Sequence, residues 1–239
     1  MPLSRRIPYG KFRRMAPSLR AIALTAAFAA LAATAVAQGT GAAMLTQAVA
    51  ATTAAKADYA FDVEINTSKM NWRARYQPEA QPALRLVSPA RENLDGDERR
   101  AFDRVAADFE GVSWCAGARM ANVANVRLLR EDEDTATYSF QPTRESVRGE
   151  QARRYADRMR GEMVMTKGDH PDISRMRIFM PEGFSPAPLI RLDHFEMTIA
   201  CQTAPNGRRY ASEAVTEMRG SALGQAFNER TVQRSRNLQ

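Results

Sequence analysis

The chain has 239 residues, with 34 Lys+Arg against 27 Asp+Glu, a formal net charge of +7. Six of the basic residues and none of the acidic ones fall within residues 1–37, so residues 38–239 carry 28 basic and 27 acidic side chains. A body with a net charge of only +1 lacks the excess expected of a general binder of nucleic acid or anionic membrane. Its length suits one domain able to bury a core without metals or many disulfides, and there is no repeat at a solenoid period.

Residues 21–37 are almost wholly apolar, follow a basic stretch and end in Ala35-Val36-Ala37, the small-x-small pattern a signal peptidase accepts. Residues 1–37 are therefore expected to be a signal peptide cleaved after Ala37, with Met15 an alternative start, and 38–239 a single exported domain in the periplasm. The apolar run is short for an uncleaved span of about 20 residues. In an oxidising compartment the only two cysteines, Cys115 and Cys201, are expected to pair. Closing that loop would stabilise the fold by ~4 kcal/mol in the chain-entropy model. The alternative is two separate buried thiols.

The mature chain opens on an Ala-rich, Pro-free stretch, 41–56, that suits a helix. The period then changes to two. Tyr59–Ile65 and Asn71–Tyr76 alternate as half-buried strands, the second with Trp72, Ala74 and Tyr76 on one face and Arg73 and Arg75 on the other. Residues 83–87 form a third short strand. Asp95 and Glu98 make a capping-box start for a helical interval carrying Ala101, Phe102, Val105, Ala106 and Phe109, and a second helical piece is expected around Trp114, Cys115 and Met120. Strands resume at Val126–Leu129 and Thr135–Gln141. Residues 143–158 are highly charged and read as either helix or loop. Arg160–Lys167 and Ile173–Met180 flank a five-residue turn at Gly168–Asp172. Leu189–Thr203 is a long strand, Pro205-Asn206-Gly207 turns into Arg208–Arg219, and a last strand runs through Gly224–Val232. Eight to ten antiparallel strands, an N-terminal helix and an inserted helical region predict an α+β domain.

Catalytic signatures are missing. His170 sits in a turn and His194 on the polar face of a strand, neither with ligand spacing. There is no Gly-x-Ser-x-Gly elbow, His-Glu-x-x-His or phosphate loop, and the acidic clusters fall at a helix cap and a turn. No enzyme activity, cofactor or metal is expected. The methionines say more. Of the ten in residues 38–239, seven lie between Met159 and Met218. Alternation puts Met163 with Met165, Met176 with Ile178 and Met180, and Met197 with Phe195 and Ile199, so neighbouring strands present one Met-rich face. Thioethers adapt to varied apolar shapes, and they also fill irregular cores.

The order of signal segment, N-terminal helix, strand Tyr59–Ile65, Trp72-Arg73-Ala74-Arg75-Tyr76-Gln77-Pro78, Tyr138-Ser139-Phe140-Gln141-Pro142 and the hairpin across Gly168–Asp172 resembles the periplasmic lipoprotein-carrier superfamily, the LolA/LolB-like half-barrels. The resemblance lies in layout and covers most of residues 41–232. It implies a curved antiparallel sheet forming an incomplete β-barrel whose inner side holds acyl chains under a helical lid. The Cys115/Cys201 pair and the 143–158 segment depart from that pattern, and no functional residue of the superfamily is carried over. The expected function is non-catalytic binding of a hydrophobic small molecule or lipid, with membrane contact only in passing and no nucleic-acid partner. Candidate lining residues are Trp72, Tyr76, Phe140, Met163, Met165, Met176, Ile178, Met180, Phe195, Met197 and Ile199. The alternatives are an envelope scaffold with a filled barrel, whose Arg73, Arg75, Arg175 and Arg177 meet a protein partner, and a hydrolase without recognisable motifs.

Overall fold

A computed structural model describes residues 41–239; the expected signal peptide lies outside them. The first helix, α1, occupies residues 41–54. Its buried side chains, Leu45, Ala48, Val49 and Thr52, recur at three- and four-residue spacing and form a single stripe. The chain then enters a meander of eleven strands: β1 Phe61–Asn66, β2 Asn71–Tyr76, β3 Leu84–Ser88, β4 Ala124–Glu131, β5 Thr135–Gln141, β6 Arg160–Thr166, β7 Ile173–Phe179, β8 Phe184–Ala187, β9 Ile190–Thr203, β10 Arg209–Ala222 and β11 Gln225–Arg236. Helix α2, Gly96–Ala107, is inserted after β3, and the short α3, Glu150–Arg153, after β5.

Every strand pairing is antiparallel, in the order β3-β2-β1-β11-β10-β9-β7-β6-β5-β4, with β8 beside β9. The first strand therefore lies against the last, while β3 and β4 keep open edges. The result is a curved α+β sheet, an incomplete barrel. Helix α2 starts on the expected capping box, with the Asp95 carboxylate accepting from the Asp97 and Glu98 N–H groups and Glu98 accepting from the Asp95 N–H.

Apolar side chains gather in three places. Under α1 lie Tyr138, Phe140, Met163, Met165, Ile173 and Met176, closed over by Ala116, Met120 and the cysteines. Gly161 faces Phe140 across the β5–β6 pair, and a Cβ there would stand 2.1 Å from the Phe140 ring, so the ring needs glycine beneath it. Under α2 lie Phe61, Val63, Trp72, Ala74, Tyr76 and Leu84 with Phe102. A smaller group joins Met159, Met180 and Phe184.

Segment 109–123 links the first two groups, with Phe109 and Val112 packing in the α2 cluster and Met120 and Val123 in the α1 cluster. Cys115 and Cys201 form a disulfide with an S–S distance of 2.05 Å, fastening this segment to β9. The helical piece expected around Trp114 is shorter than its sequence suggests. Only Ala118–Asn122 is helical, as a 3-10 turn holding Met120. Trp114 instead forms a bridge with Tyr210 on β10, because the segment is drawn flat onto the sheet by that bridge and by the disulfide beside it. The charged 143–158 stretch resolves into α3 and a 3-10 turn at Ala156–Arg158. Strand β8 was not expected; Pro186 within it disguises a short edge strand.

A buried ion pair anchors α1. Arg208 Nη2 lies 3.0 Å from Asp172 Oδ2, in the turns between β9 and β10 and between β6 and β7. The same guanidinium donates to the Ala48 carbonyl, the Thr52 hydroxyl and the Pro171 carbonyl. Asp172 in turn accepts from the Ile173 and Arg209 N–H groups. Burial pushes the Asp172 carboxyl above the usual carboxylate range, opposed by Arg208 and those two N–H groups.

Candidate functional site

Residues directly opposite in an antiparallel pair share a face, so the register maps the inner wall across the middle of the sheet. One row runs Ile178–Met197–Thr216–Thr231 over β7, β9, β10 and β11. The row on one side of it is Met176–Ile199–Ala214–Gln233, which continues into Ile65 and Trp72. On the other side it is Phe195–Met218–Glu229. These rows join the α1 cluster at Met176 to the α2 cluster at Trp72.

The two ends of the wall are sealed and its middle is not. Met163 and Met165 are fully buried, and Trp72 is nearly so. Between them Phe195, Met197, Ile199, Ala214, Thr216, Met218, Thr231 and Gln233 are all half-buried. Helix α1 covers the β5–β7 side and meets β9 and β10 at their connecting turn, where Arg208 donates to Ala48 and Thr52, and α2 covers the β1–β3 side. Segment 109–123 covers β9 and β10 at their Cys201 and Tyr210 ends. A strip of apolar side chains on β9 and β10 thus stays partly open to solvent.

The predicted lining residues divide accordingly. Trp72 and Tyr76 pack beneath α2, Trp72 edge-on to Phe102 at 5.5 Å and Tyr76 against Phe109 at 5.3 Å. Phe140, Met163, Met165 and Met176 pack beneath α1, and Met180 joins Met159 and Phe184. Ile178, Phe195, Met197 and Ile199 face the open strip, Ile178 touching two clusters, Phe195 the Met180 group and Ile199 the α1 group. Met218 belongs to the strip as well, and sequence reasoning passed it over. Its signal was there, since Ala214, Thr216 and Met218 alternate with Glu213, Val215 and Glu217, but the threonine and alanine diluted it.

The outer face is ordered by charge. Arg75 meets Asp62 at 2.9 Å, and Arg177 meets Glu196 at 2.8 Å while lying over the Phe179 ring. Two of the four arginines singled out on the exterior are therefore held by the sheet itself. Their hydrogen bonds lower the partner acids: Asn237 and Arg75 hold Asp62, and Arg177 holds Glu196, below their ordinary ranges. A groove of about 530 Å³ opens on this face, lined by Asn66, Thr67, Ser68, Glu217, Arg219, Asn228, Arg230 and Val232. It borders none of the predicted lining residues. His194 lies opposite Arg219 on the same outer face.

Among the described residues, no group of three or more His, Cys, Asp and Glu side chains is placed to hold a metal. Nor is any helix among them long and apolar enough to cross a membrane. The cysteines are joined to each other. What the inner face offers is shaped apolar area with a polar margin. No protein family, curated protein or solved structure matches the chain.

Proposed function

We propose that the chain is a non-catalytic, exported protein of the periplasm that holds a hydrophobic ligand, a lipid or acyl chain, against the open strip of its half-barrel, in the manner of the lipoprotein carriers it resembles. One observation supports this above the others: Phe195, Met197, Ile199 and Met218 lie side by side on the inner wall, half-buried, between two helices that each cover a different end of the sheet. A barrel serving only as a packed scaffold would gain by burying that strip, at about 25 cal/mol for each Å² of apolar surface withdrawn from water. A guest laid along the strip takes up the same gain. Thioethers at Met197 and Met218 adapt to chains of different length and branching. The disulfide accords with an oxidising compartment.

Native mass spectrometry after gentle purification tests the reading directly, with a co-purifying lipid as the expected result. Met197→Arg puts a charge at the centre of the strip and is expected to weaken uptake of an environment-sensitive acyl dye at least tenfold, because a bound chain would cut the guanidinium off from water. Because Met197 is half-exposed, the variant is expected to keep its fold by circular dichroism. Unchanged dye uptake in a folded variant would defeat the proposal.

A further inference from the structure

We infer that the guest is a single-chain amphipath carrying a cationic amine head group, with its chain on β9 and β10 and its amine at Glu229 on β11. The inference rests on the ligand-binding reading above and adds the chemistry of the head group.

The open wall is not uniform. Reading each row outward from β9, Phe195–Met218 ends at Glu229 and Met197–Thr216 ends at Thr231, while Ile199–Ala214 passes through Gln233 into Ile65 on β1. Strand β9 thus supplies only apolar side chains to these rows, and β11 supplies only polar ones. A ligand lying along the first two of these rows would meet grease at one end and hydrogen-bonding groups at the other. No Lys or Arg stands in the three rows, so they offer no cation to a carboxylate or phosphate head.

Glu229 is the ionisable group in those rows, and its surroundings set it apart. Strands β9, β10 and β11 carry four glutamates: Glu196, Glu213, Glu217 and Glu229. Each of the first three points to the outer face and is paired with an arginine, Glu196 with Arg177 at 2.8 Å, Glu213 with Arg234 at 2.7 Å and Glu217 with Arg230 at 3.2 Å. Glu229 shares the inner row of Met218 and has no ion-pair partner among the described residues. Its Oε2 accepts from the Ser68 hydroxyl at 2.6 Å, which orients the carboxylate, and no hydrogen bond reaches Oε1 from the described residues. A half-buried, oriented carboxylate at the end of an apolar row is complementary to an ammonium tethered to an alkyl chain.

Isothermal titration of the purified protein at low salt with decylammonium, decanol and decanoate, all below their micelle concentrations, tests this. Decylammonium is expected to bind about fivefold more tightly than decanol, and decanoate more weakly than either, as one partly exposed ion pair allows. Glu229→Gln keeps an acceptor for the Ser68 hydroxyl and is expected to remove the preference, bringing decylammonium down to the affinity of decanol. Glu229→Lys is expected to reverse the order in favour of decanoate. Decanol binding with no head-group preference in the wild type, or a preference that survives Glu229→Gln, overturns the inference and leaves the apolar site standing. Binding of none of the three overturns both.

Discussion

Arg208 and Asp172 show how a single buried pair can govern an element far away in sequence. The guanidinium satisfies two groups on α1 and one in the β6–β7 turn, so its loss would strand both the helix and a desolvated carboxylate. Arg208→Met is expected to lower stability by about 3–5 kcal/mol, the usual result of removing one partner of a buried pair. Urea denaturation would measure it. Adding Asp172→Asn should restore part of the loss, since the charge is gone and the amide oxygen can accept from one of the two backbone N–H groups that the carboxylate holds. Glu196 gives the residue-scale pH dependence. Its carboxyl is lowered by Arg177, so the stability it contributes is complete above its unfolded pKa of about 4.3 and is lost as the pH falls through the lower folded value. Asp172 works in the other direction: its folded pKa is raised, so its contribution falls as the pH climbs from the unfolded to the folded value. Urea midpoints taken from pH 3 to 6 are therefore expected to show a shallower acid loss in Glu196→Gln than in wild type; parallel curves would mean that solvent screening removes the effect of this partly exposed pair.

Elements with a clean period were legible. Asn71–Tyr76 and Thr135–Gln141 match the observed strands, α2 begins on its capping box, and the N-terminal helix buries one stripe as its composition suggests. Errors came where tertiary contacts outweigh local signals. Trp114 and Cys115 lie in a segment whose conformation is set by β10 and by the disulfide, and no pattern within it reports either. The final strand continues past Val232 to Arg236 because β1 pairs with it there, a partner some 170 residues away in the chain. The candidate site was half legible for a related reason. Alternation identifies which side chains share a face, and it grouped Met176, Ile178, Met197 and Ile199 correctly. It carries no information on which stretch of that face a helix will cover, so Trp72 and Met165, sealed beneath helices, looked no different from Met197.

At the scale of the whole molecule, two helix-covered ends are joined by β9–β11 on one level and by segment 109–123 on another. The second connection is fastened covalently at one point, between Cys115 and Cys201, beside the backbone hydrogen bonds of the Trp114–Tyr210 bridge. Without it, Trp114 would keep its bridge to Tyr210 and its edge-on contact with Tyr59, 6.2 Å between ring centres. An expression host whose cytosol keeps thiols reduced would thus make a looser version of the protein, its crossbar held to the sheet by hydrogen bonds and packing alone. Comparing material from such a host with secreted material, the melting temperature is expected to fall by several degrees, in line with about 2–5 kcal/mol for a native bridge. Amide exchange in the reduced protein should quicken first at residues 109–123. Where the chain is manufactured would then decide how it behaves.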